Sequence, residues 1–414
     1  MTIYKRNINK NLLRSFQNNP AILINGARQV GKRTLVEKMT KQDLSAKYFT
    51  FDDHNILFAA SSDPYGFLSQ YTEALALDEV QRHPEIFISI KRIIDETKKN
   101  GKFLLTGSAN ILTMPKISES LAGRIIIHNL WPLSQGEINN KTEKFIDWAF
   151  TEHKIPQLSN ILKINKLIDI ILTGGYPRSL TSRSAIDRNE WFNSYINTIL
   201  QRDIKNLANI EGLKELPNIL SILANRVGNL LNLQDISRMA KINQVTLKRY
   251  YTLLQMVFLV CEVPAWFSNN DKVLSKTPKI FLNDTGLLSH FKKLSKDRLL
   301  ENRTELGPLV ENFVAMELKK QISWHDLKPD LYHYRTRSGS EIDFLLEGEN
   351  KNIVAIEVKT TATLNKKDLI SLKQLREKLG NTFIKGILLY NGTEPLMLED
   401  RIYALPLNAL WDIN

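Results

Sequence analysis

Cysteine is nearly absent from this sequence: among 414 residues, Cys261 carries the one thiol. A single cysteine excludes an internal disulfide framework and fits a reducing cytoplasm. Long apolar runs are absent as well, because no segment reaches the roughly 18 apolar residues of a membrane-spanning helix. The stretch MTIYKRNINKNLLRSF is basic and amphipathic and lacks the apolar centre of a signal peptide. We therefore expect a cytoplasmic protein with no membrane association.

Acidic residues are the scarcer charged class, 44 against 56 basic ones, so the formal net charge is +12. An excess of positive charge favours polyanionic partners, and nucleic acid, either DNA or RNA, is the first candidate. A solvated basic surface without such a partner is the alternative. Glycine and proline are sparse too, at 18 and 14 residues. This composition is typical of a globular protein, and at about 150 residues per domain the length predicts two or three domains.

The first part of the chain alternates short apolar segments with helical stretches. Four of these segments, AILING, KYFTFDD, EALALDE and KFLLTGS, have the character of buried strands. Such alternation predicts an α/β fold, with a parallel sheet that carries helices on both faces. Residues 139–165 are polar and loosely patterned, which indicates a boundary.

The rest of the chain divides into a helical region and a second, smaller α/β unit. Between residues 166 and 295, QDISRMAK and VTLKRYYTLLQMV have the shape of a helix-turn-helix. Beyond residue 303, a helix (GPLVENFVAMELKKQ), two strands, a further helix and a final strand (FIKGILLYNG) are predicted. The predicted domains are 1–140, a parallel-sheet domain; 165–295, a helical, winged-helix-like domain; and 300–414, a small α/β domain.

The stretch GARQVGKRT, residues 26–34, approaches the phosphate-loop pattern G-x-x-x-x-G-K-[ST]. It lies between a predicted strand and a predicted helix, as the motif requires. Such a loop points backbone N–H groups at phosphates from a helix N-terminus, and its lysine reaches the β and γ phosphates. The candidate nucleotide-binding residues are Gly26, Ala27, Arg28, Gln29, Val30, Gly31, Lys32, Arg33, Thr34 and Ser108.

A second part of a nucleotide site follows in ALALDEVQRHPE, where an apolar strand ends in Asp78 and Glu79. An acidic residue at such a strand end holds Mg²⁺, and the next one can activate the attacking water. The strand KFLLTGSAN ends in Thr106, Ser108 and Asn110, polar residues suited to sensing a γ phosphate. A solvated acidic pair, or a fold that has lost its ligand, is the alternative. The order and spacing of the three motifs predict ATP and Mg²⁺ as ligands.

With further blocks along nearly the whole chain, these motifs resemble a bacterial and archaeal family of AAA-type P-loop ATPases that carries a C-terminal domain of unknown function. The blocks are INGARQVGK, ALALDEVQ, LLTGSAN, LAGR with the following WPLSQGE, TGGYPRSL, LQRDI, KTPKIFLNDTGLL, GPLVENFV and YRTRSGSEIDF with AIEVK. The resemblance implies ATP binding and hydrolysis, with Lys32 and Glu79 as catalytic residues. It also implies an arginine that reaches the γ phosphate of a neighbouring subunit in an oligomer. Arg124 is the first candidate and Arg82 the second, and a structural salt bridge is the alternative for both.

Arg33 is the departure from the family pattern, which would read GKTTL where this sequence reads GKRTL. The missing hydroxyl removes one inner ligand of Mg²⁺, leaving waters, phosphate oxygens and Asp78. Thr34 lies about 100° further round the helix and cannot replace it. A guanidinium at this place could itself pair with a phosphate oxygen. Our hypothesis is that nucleotide binding is retained, that its Mg²⁺ dependence is weakened and that hydrolysis is slow.

A second set of candidate catalytic and metal-binding residues lies in EIDFLLEGENKNIVAIEVKTT. Asp343 is on one predicted strand, and Glu357 and Lys359 lie two apart on the next, so both point to one face. With Glu311 on the preceding helix, this set is similar to that of the PD-(D/E)XK nucleases. There the carboxylates hold Mg²⁺, and the lysine positions or helps deprotonate the attacking water. Solvated strand residues, or a nuclease-like fold without activity, are the alternatives.

Other residues suggest contacts with nucleic acid without specifying them. Lys248 and Arg249 lie on the second helix of the helix-turn-helix, which could enter a major groove or serve as a winged-helix lid on the ATPase core. Tyr334, Arg335 and Arg337 precede Asp343 and could contact a phosphate backbone or form a solvated strand edge.

The sequence as a whole favours an AAA-type ATPase whose nucleotide state controls a nuclease-like C-terminal domain that engages nucleic acid. Two alternatives remain. One is a nucleotide-gated scaffold or regulator with a catalytically dead C-terminal domain. The other is a pseudo-ATPase in which only the metal-dependent nuclease works.

Overall fold

The computed structural model describes residues 3–108, 123–151, 154–205, 213–267, 277–336 and 339–413. The chain divides into two compact units. Unit 1 comprises residues 1–132, 201–209 and 252–259, and unit 2 comprises residues 133–200, 210–251 and 260–414. Within the described ranges, none of the helices combines the length and the apolar character that crossing a bilayer requires.

Unit 1 contains a five-stranded parallel sheet. Its strands are β1 (Ala21–Asn25), β2 (Ala46–Thr50), β3 (Ala74–Asp78), β4 (Phe103–Gly107) and β5 (Ile125–Asn129), in the order β2-β3-β4-β1-β5. Its helices are Asn9–Asn18, Lys32–Gln42, His54–Ser62, Pro64–Ser69 and Ile86–Thr97. Every residue of β1 and β4 is buried, as expected for apolar strands in the interior of a parallel sheet. The predicted parallel α/β sheet is therefore confirmed.

The two edge strands of this sheet differ from the prediction. The segment KYFTFDD was expected to form a buried strand, but each residue of β2 is at least partly exposed. That expectation is wrong because β2 lies at the sheet edge, where one side has no neighbouring strand. The opposite edge strand, β5, is not among the predicted strands, because its apolar run of three isoleucines is too short to indicate a strand.

Unit 2 contains most of the remaining helices. They are Gln135–Ile138, Phe145–Thr151, Ile164–Thr173, Pro177–Leu180, Ala185–Thr198, Leu216–Asn225, Leu233–Ala240, Thr285–Phe291, Lys296–Glu301, Leu306–Trp324, Ile370–Leu379 and Ala409–Asp412. A π-helical turn spans Ile199–Ile204, and the helix Gln244–Met256 extends across the division between the units. An antiparallel pair joins β6 (Val260–Val263) to β7 (Lys279–Leu282).

The C-terminal part of unit 2 is a mixed six-stranded sheet. Its strands are β8 (Asp330–Arg335), β9 (Glu341–Glu347), β10 (Ile353–Lys359), β11 (Phe383–Tyr390), β12 (Leu396–Glu399) and β13 (Ile402–Pro406), in the order β12-β13-β11-β10-β9-β8. Strands β8, β9 and β10 are antiparallel neighbours, whereas β10, β11 and β13 run parallel. The prediction that FIKGILLYNG forms the final strand is wrong, because β12 and β13 follow it.

The segment 139–165 is more ordered than its polar composition indicates. It contains the helix Phe145–Thr151, which buries Phe145, Ile146 and Trp148. The Lys385 ammonium of β11 donates a hydrogen bond of 2.7 Å to the Trp148 carbonyl and lies 3.7 Å from the centre of the Trp148 ring. Two turns of helix are too short to give a clear 3.6-residue period, so the sequence indicated a boundary here.

The helix-turn-helix segment has the predicted element order. The helix Leu233–Ala240 ends at Lys241, whose φ of 55° is left-handed, and the helix Gln244–Met256 follows. The side chain of Asn232 caps the first of these helices by accepting a hydrogen bond of 3.0 Å from the backbone N–H of Asp235. The sequence thus located both helices and the turn between them.

Candidate functional site

The loop that follows β1 is shaped by two glycines. A Cβ atom on Gly26 would lie 2.2 Å from the backbone oxygen of Leu130, so a larger residue cannot occupy this position without moving the chain. Gly31 has a φ of 101° and immediately precedes the helix Lys32–Gln42. The loop therefore enters the helix through a left-handed residue, and the free N–H groups of the first helical turn face the loop.

Lys32 is the central side chain of this loop, and 5% of it is exposed. Its ammonium donates hydrogen bonds of 2.8 Å to the backbone oxygens of Gly26 and Ala27. Burial lowers the pKa of Lys32 to about 8, although the nearby charges of Glu79 and Asp78 act in the opposite direction. A buried ammonium bonded to neutral carbonyls favours an anionic ligand, which would supply the missing negative charge.

Asp78 lies at the carboxyl end of β3, and 2% of it is exposed. One carboxylate oxygen accepts hydrogen bonds from the Tyr48 hydroxyl at 2.9 Å and the Thr50 hydroxyl at 3.3 Å. The other accepts from the Thr106 hydroxyl at the end of β4. Three hydroxyl donors from two neighbouring strands therefore orient this carboxylate.

Glu79 follows Asp78 in a left-handed conformation, with a φ of 60°. Its backbone N–H donates to the Thr106 hydroxyl at 3.2 Å. The amide of Gln81 donates both to the Glu79 carboxylate and, at 2.8 Å, to the Ser108 hydroxyl. The structure thus connects Glu79 with Ser108 through Gln81. Asn110, the other predicted polar residue after β4, lies outside the described residues.

Arg33 occupies the position of the expected hydroxyl residue. Its guanidinium forms an ion pair of 2.7 Å with Glu37, one turn further along the same helix, and its side chain is 60% exposed. Thr34 is exposed as well. The predicted site residues therefore include an arginine whose charge is already balanced by a neighbouring carboxylate.

Two further interactions support the loop, and of their charged residues only Arg28 was predicted as part of the site. The guanidinium of Arg6 is buried and donates to the backbone oxygen of Val30 at 2.8 Å and to that of Trp131 at 2.6 Å. Arg28 donates from Nε to both carboxylate oxygens of Asp203, at 2.8 and 3.0 Å. Asp203 belongs to the block LQRDI, which the family resemblance marks without assigning a role.

The two candidate arginines for a neighbouring subunit both form ion pairs. Arg124 donates to the Asp95 carboxylate at 2.7 and 3.1 Å, and Arg82 pairs with Asp52. These partners lie on the same chain and are partly exposed, so the pairs are of the surface kind. A contact with a bound nucleotide stays a prediction for both residues.

A second candidate site is a cavity of about 540 Å³ in unit 2. The structure brings four predicted residues together there: Glu311, Asp343, Glu357 and Lys359. The Lys359 ammonium is 3.8 Å from the Glu357 carboxylate, and one oxygen of Asp343 accepts a hydrogen bond of 2.9 Å from the backbone N–H of Val358. Asp78, the metal ligand predicted for the nucleotide site, lies with the loop in unit 1.

Lys279, on β7, is the main residue of this cavity that was not predicted. Its ammonium is 2.9 Å from Glu311, 2.9 Å from Glu341 and 3.5 Å from Asp343. Burial lowers the pKa of Lys279, but the three carboxylates outweigh burial and raise the pKa above its usual range. Lys279 is part of the block KTPKIFLNDTGLL, so the resemblance contained the signal but assigned it no role.

Burial also shifts the pKa values of acidic residues in the cavity. Burial, followed by the negative charge of Asp343, raises the pKa of Glu311 to about 7 and raises that of Glu357. Within the described ranges, no group of three or more histidine, cysteine, aspartate or glutamate side chains has the geometry to hold a metal ion. The residues present therefore do not fit a metal centre as they stand, because the Lys279 ammonium lies between the carboxylates.

The remaining residues predicted to contact nucleic acid differ in their exposure. Tyr334 is buried, with its hydroxyl 3.1 Å from the Lys378 ammonium, whereas Arg335 is about half exposed. Arg337 lies outside the described residues. Lys248 and Arg249 are exposed on the helix Gln244–Met256.

Three family descriptions match consecutive parts of the chain. Residues 18–139 match "AAA domain", residues 164–298 match "Domain of unknown function (DUF8612)" and residues 306–410 match "Domain of unknown function (DUF4143)". The first match thus supports an AAA-type ATPase domain in the first part of the chain, and such a domain implies the use of a nucleotide and typically of Mg²⁺.

Relatives from bacteria and archaea are similar along most of the chain. An uncharacterized protein of Mycobacterium tuberculosis is 28% identical over 99% of this chain and 85% of its own length. An uncharacterized protein of Methanocaldococcus jannaschii is 24% identical over 94% and 87%. A solved STAND ATPase with a tetratricopeptide repeat sensor, from Pyrococcus horikoshii, is 14% identical over 76% of this chain and 46% of its own, with a TM-score of 0.27. A TM-score of this size carries no information about the fold of this chain.

Proposed function

We propose that this protein is an ATP-binding ATPase with slow turnover, whose nucleotide state controls how a nuclease-like C-terminal domain engages nucleic acid. The carrying observation is the buried ammonium of Lys32 at a helix N-terminus, in the same unit as the oriented carboxylate of Asp78 and Glu79 after it. The match of residues 18–139 to an AAA domain supports the ATPase part of the proposal.

Each residue of the loop site has a role in this proposal. The N–H groups of residues 26–34 and the Lys32 ammonium bind the phosphates. Asp78 holds Mg²⁺ directly or through water, and Glu79 activates the attacking water. Ser108, which is linked to Glu79 through Gln81, responds to the γ phosphate.

Arg33 makes hydrolysis slow in this proposal, because it supplies no hydroxyl to Mg²⁺ and keeps its charge on Glu37. Nucleotide binding itself depends on the loop and on Lys32, which the substitution leaves in place. The protein would then hold a nucleotide for long periods, as a switch does.

ATP binding and phosphate release test this part, with Mg²⁺ and with a chelator, on the wild type, Arg33→Thr and Lys32→Ala. We expect binding with little release in the wild type, a gain of release in Arg33→Thr, and weaker binding without release in Lys32→Ala. Rapid Mg²⁺-dependent turnover in the wild type, no faster in Arg33→Thr, would contradict the proposed role of Arg33. Turnover that survives in Lys32→Ala would contradict the assignment of the site.

The C-terminal part of the proposal rests on the four predicted residues that line one cavity, on a mixed sheet flanked by the helix Leu306–Trp324. The helices Leu216–Asn225, Leu233–Ala240 and Gln244–Met256, followed by β6 and β7, support a winged-helix-like arrangement. Either region could contact nucleic acid. Binding of labelled DNA and RNA with ATP, ADP or no nucleotide tests the coupling, and equal affinity in all three states would contradict it.

Metal-dependent cleavage distinguishes the alternatives. Cleavage that is lost in Asp343→Ala would favour a nuclease, and binding without cleavage would favour a nucleotide-gated scaffold. The position of Lys279 among the carboxylates favours the second outcome.

A further inference from the structure

The C-terminal cavity contains a protein cation at the point where its carboxylates converge. Lys279 is 3% exposed, and its nitrogen is 2.9, 2.9 and 3.5 Å from oxygens of Glu311, Glu341 and Asp343. These carboxylates come from the helix Leu306–Trp324 and from β9, so three elements, with β7, meet at one ammonium. A lysine is almost never fully buried unless it is paired, and these three carboxylates provide the pairing.

We infer that Lys279 is the resident cation of this cavity and excludes a divalent metal ion from it. Glu311 and Asp343 are two of the three carboxylates predicted to hold Mg²⁺, and both are already paired with an ammonium. A metal ion between them would lie close to the Lys279 nitrogen, where like charges repel strongly in a buried setting. The cavity therefore has carboxylates of the nuclease kind with a lysine in place of the metal.

The surroundings fix the backbone of Lys279 and the positions of its partners. It is paired in β7 with Val263 of β6, and its backbone is bridged to Leu230 on the other side. Gly228 has a φ of 80°, and a Cβ atom there would lie 2.7 Å from a Glu311 oxygen, so the chain makes room for the Glu311 carboxylate beside Lys279. The second oxygen of Asp343 is bonded to the N–H of Val358.

The consequence concerns chemistry in the C-terminal domain. Metal-dependent phosphodiester hydrolysis needs a Lewis acid that polarises the phosphate and activates water, and a lysine supplies neither function in that form. We therefore assign this domain a binding role that does not depend on a divalent metal. This inference builds on the proposed C-terminal site but not on ATP turnover, so the two can fail separately.

Manganese binding to the full-length wild-type chain tests the inference without altering Lys279. Mn²⁺ is titrated in the absence of nucleotide and followed by electron paramagnetic resonance, beside Asp343→Asn. Asn keeps an oxygen that accepts from Val358 but removes the carboxylate charge. We expect the two proteins to bind Mn²⁺ identically. A Mn²⁺ site in the wild type that is lost in Asp343→Asn would overturn the inference.

A gain of binding in Lys279→Met is the complementary test. We expect this variant to acquire one additional Mn²⁺ per chain, at least about tenfold tighter than any binding there in the wild type. The double variant Lys279→Met/Asp343→Asn should lose the new site. Lys359→Met is the matched control, because it removes a cavity lysine 3.8 Å from its carboxylates and leaves Lys279 in place, so no site should appear. Equal Mn²⁺ binding in folded Lys279→Met and in the wild type would contradict the inference.

Discussion

Two lysine side chains of this protein are buried to nearly the same extent, and their surroundings differ in charge. Lys32 is 5% exposed and Lys279 is 3% exposed. The Lys32 ammonium is bonded to two neutral carbonyls, and burial lowers its pKa to about 8. The Lys279 ammonium has three carboxylates around it, and these raise its pKa in spite of burial.

The difference indicates what each site can accept. A buried ammonium whose direct partners are neutral carbonyls is costly, and an anion such as a phosphate relieves that cost. A buried ammonium with three carboxylates is already compensated, so a further cation has no favourable place. Burial of a lysine therefore identifies a ligand site only when the partners of that lysine are considered with it.

The largest effect is expected from the compensated lysine. Lys279→Met leaves three facing carboxylates without a counter-ion and should lower the free energy of unfolding by about 3–5 kcal/mol. Lys359→Met, whose partners are 3.8 Å away, should cost less than about 1 kcal/mol. Urea unfolding measures both values, and equal losses in the two variants would remove the distinction between Lys279 and an ordinary lysine.

The lowered pKa of Lys32 should be visible in the pH dependence of the protein's stability. The folded chain releases the Lys32 proton near pH 8, whereas the unfolded chain keeps it to the ordinary value of 10.5. The unfolded state binds more protons in this window, so the cost of burying Lys32 is full below pH 8 and declines as the pH rises. Relative to Lys32→Met, the wild type should gain up to about 3 kcal/mol of stability across this window. A constant difference between the two proteins would contradict the lowered pKa.

The affinity for ATP should also depend on Lys32, with a similar change in free energy. Lys32→Ala removes a charged donor to phosphate, and loss of such an interaction corresponds to about 1.5–3 kcal/mol, or roughly a tenfold to hundredfold weaker binding. Lys41→Ala, at an exposed position of the same helix, is the control and should bind as the wild type does. Calorimetric titration with ATP measures both, and unchanged affinity in Lys32→Ala would separate the buried ammonium from the nucleotide.

The smallest effect is expected at Arg33. Arg33→Thr restores the hydroxyl beside Lys32 and should raise the rate of phosphate release several-fold, equivalent to about 1 kcal/mol of activation free energy. Thr34→Ala should leave the rate unchanged, because Thr34 lies on another side of the helix. A fall in rate in Thr34→Ala would show that the neighbouring hydroxyl has taken over the role of the missing one.

The sequence predicted those parts of both sites that are local along the chain. The glycines and Lys32 are contiguous, Asp78 and Glu79 follow a buried strand, and Glu357 and Lys359 alternate on one strand. Each of these patterns is carried by a spacing of a few residues, and the parallel sheet of unit 1 follows from repeated strands and helices.

The partners that set the charge of each site could not be predicted in this way. Lys279 meets Glu311 and Asp343 across 32 and 64 positions of sequence, and Arg28 meets Asp203 across 175. Nothing in the local pattern PKIFL distinguishes a lysine that is paired with three carboxylates from one that faces solvent. Strands β12 and β13 were not predicted because they are only four and five residues long and flank a turn. Such short segments give no clear periodic pattern.

The most direct test of the central comparison is the titration of both lysines by ¹³C NMR of the Cε atoms, with assignments from Lys32→Met and Lys279→Met. The account predicts that Lys32 titrates near pH 8, while Lys279 stays charged beyond the ordinary lysine value of 10.5. Two lysines that both titrate near 10.5 would contradict it, because the burial of one and the three carboxylates around the other would then make no difference.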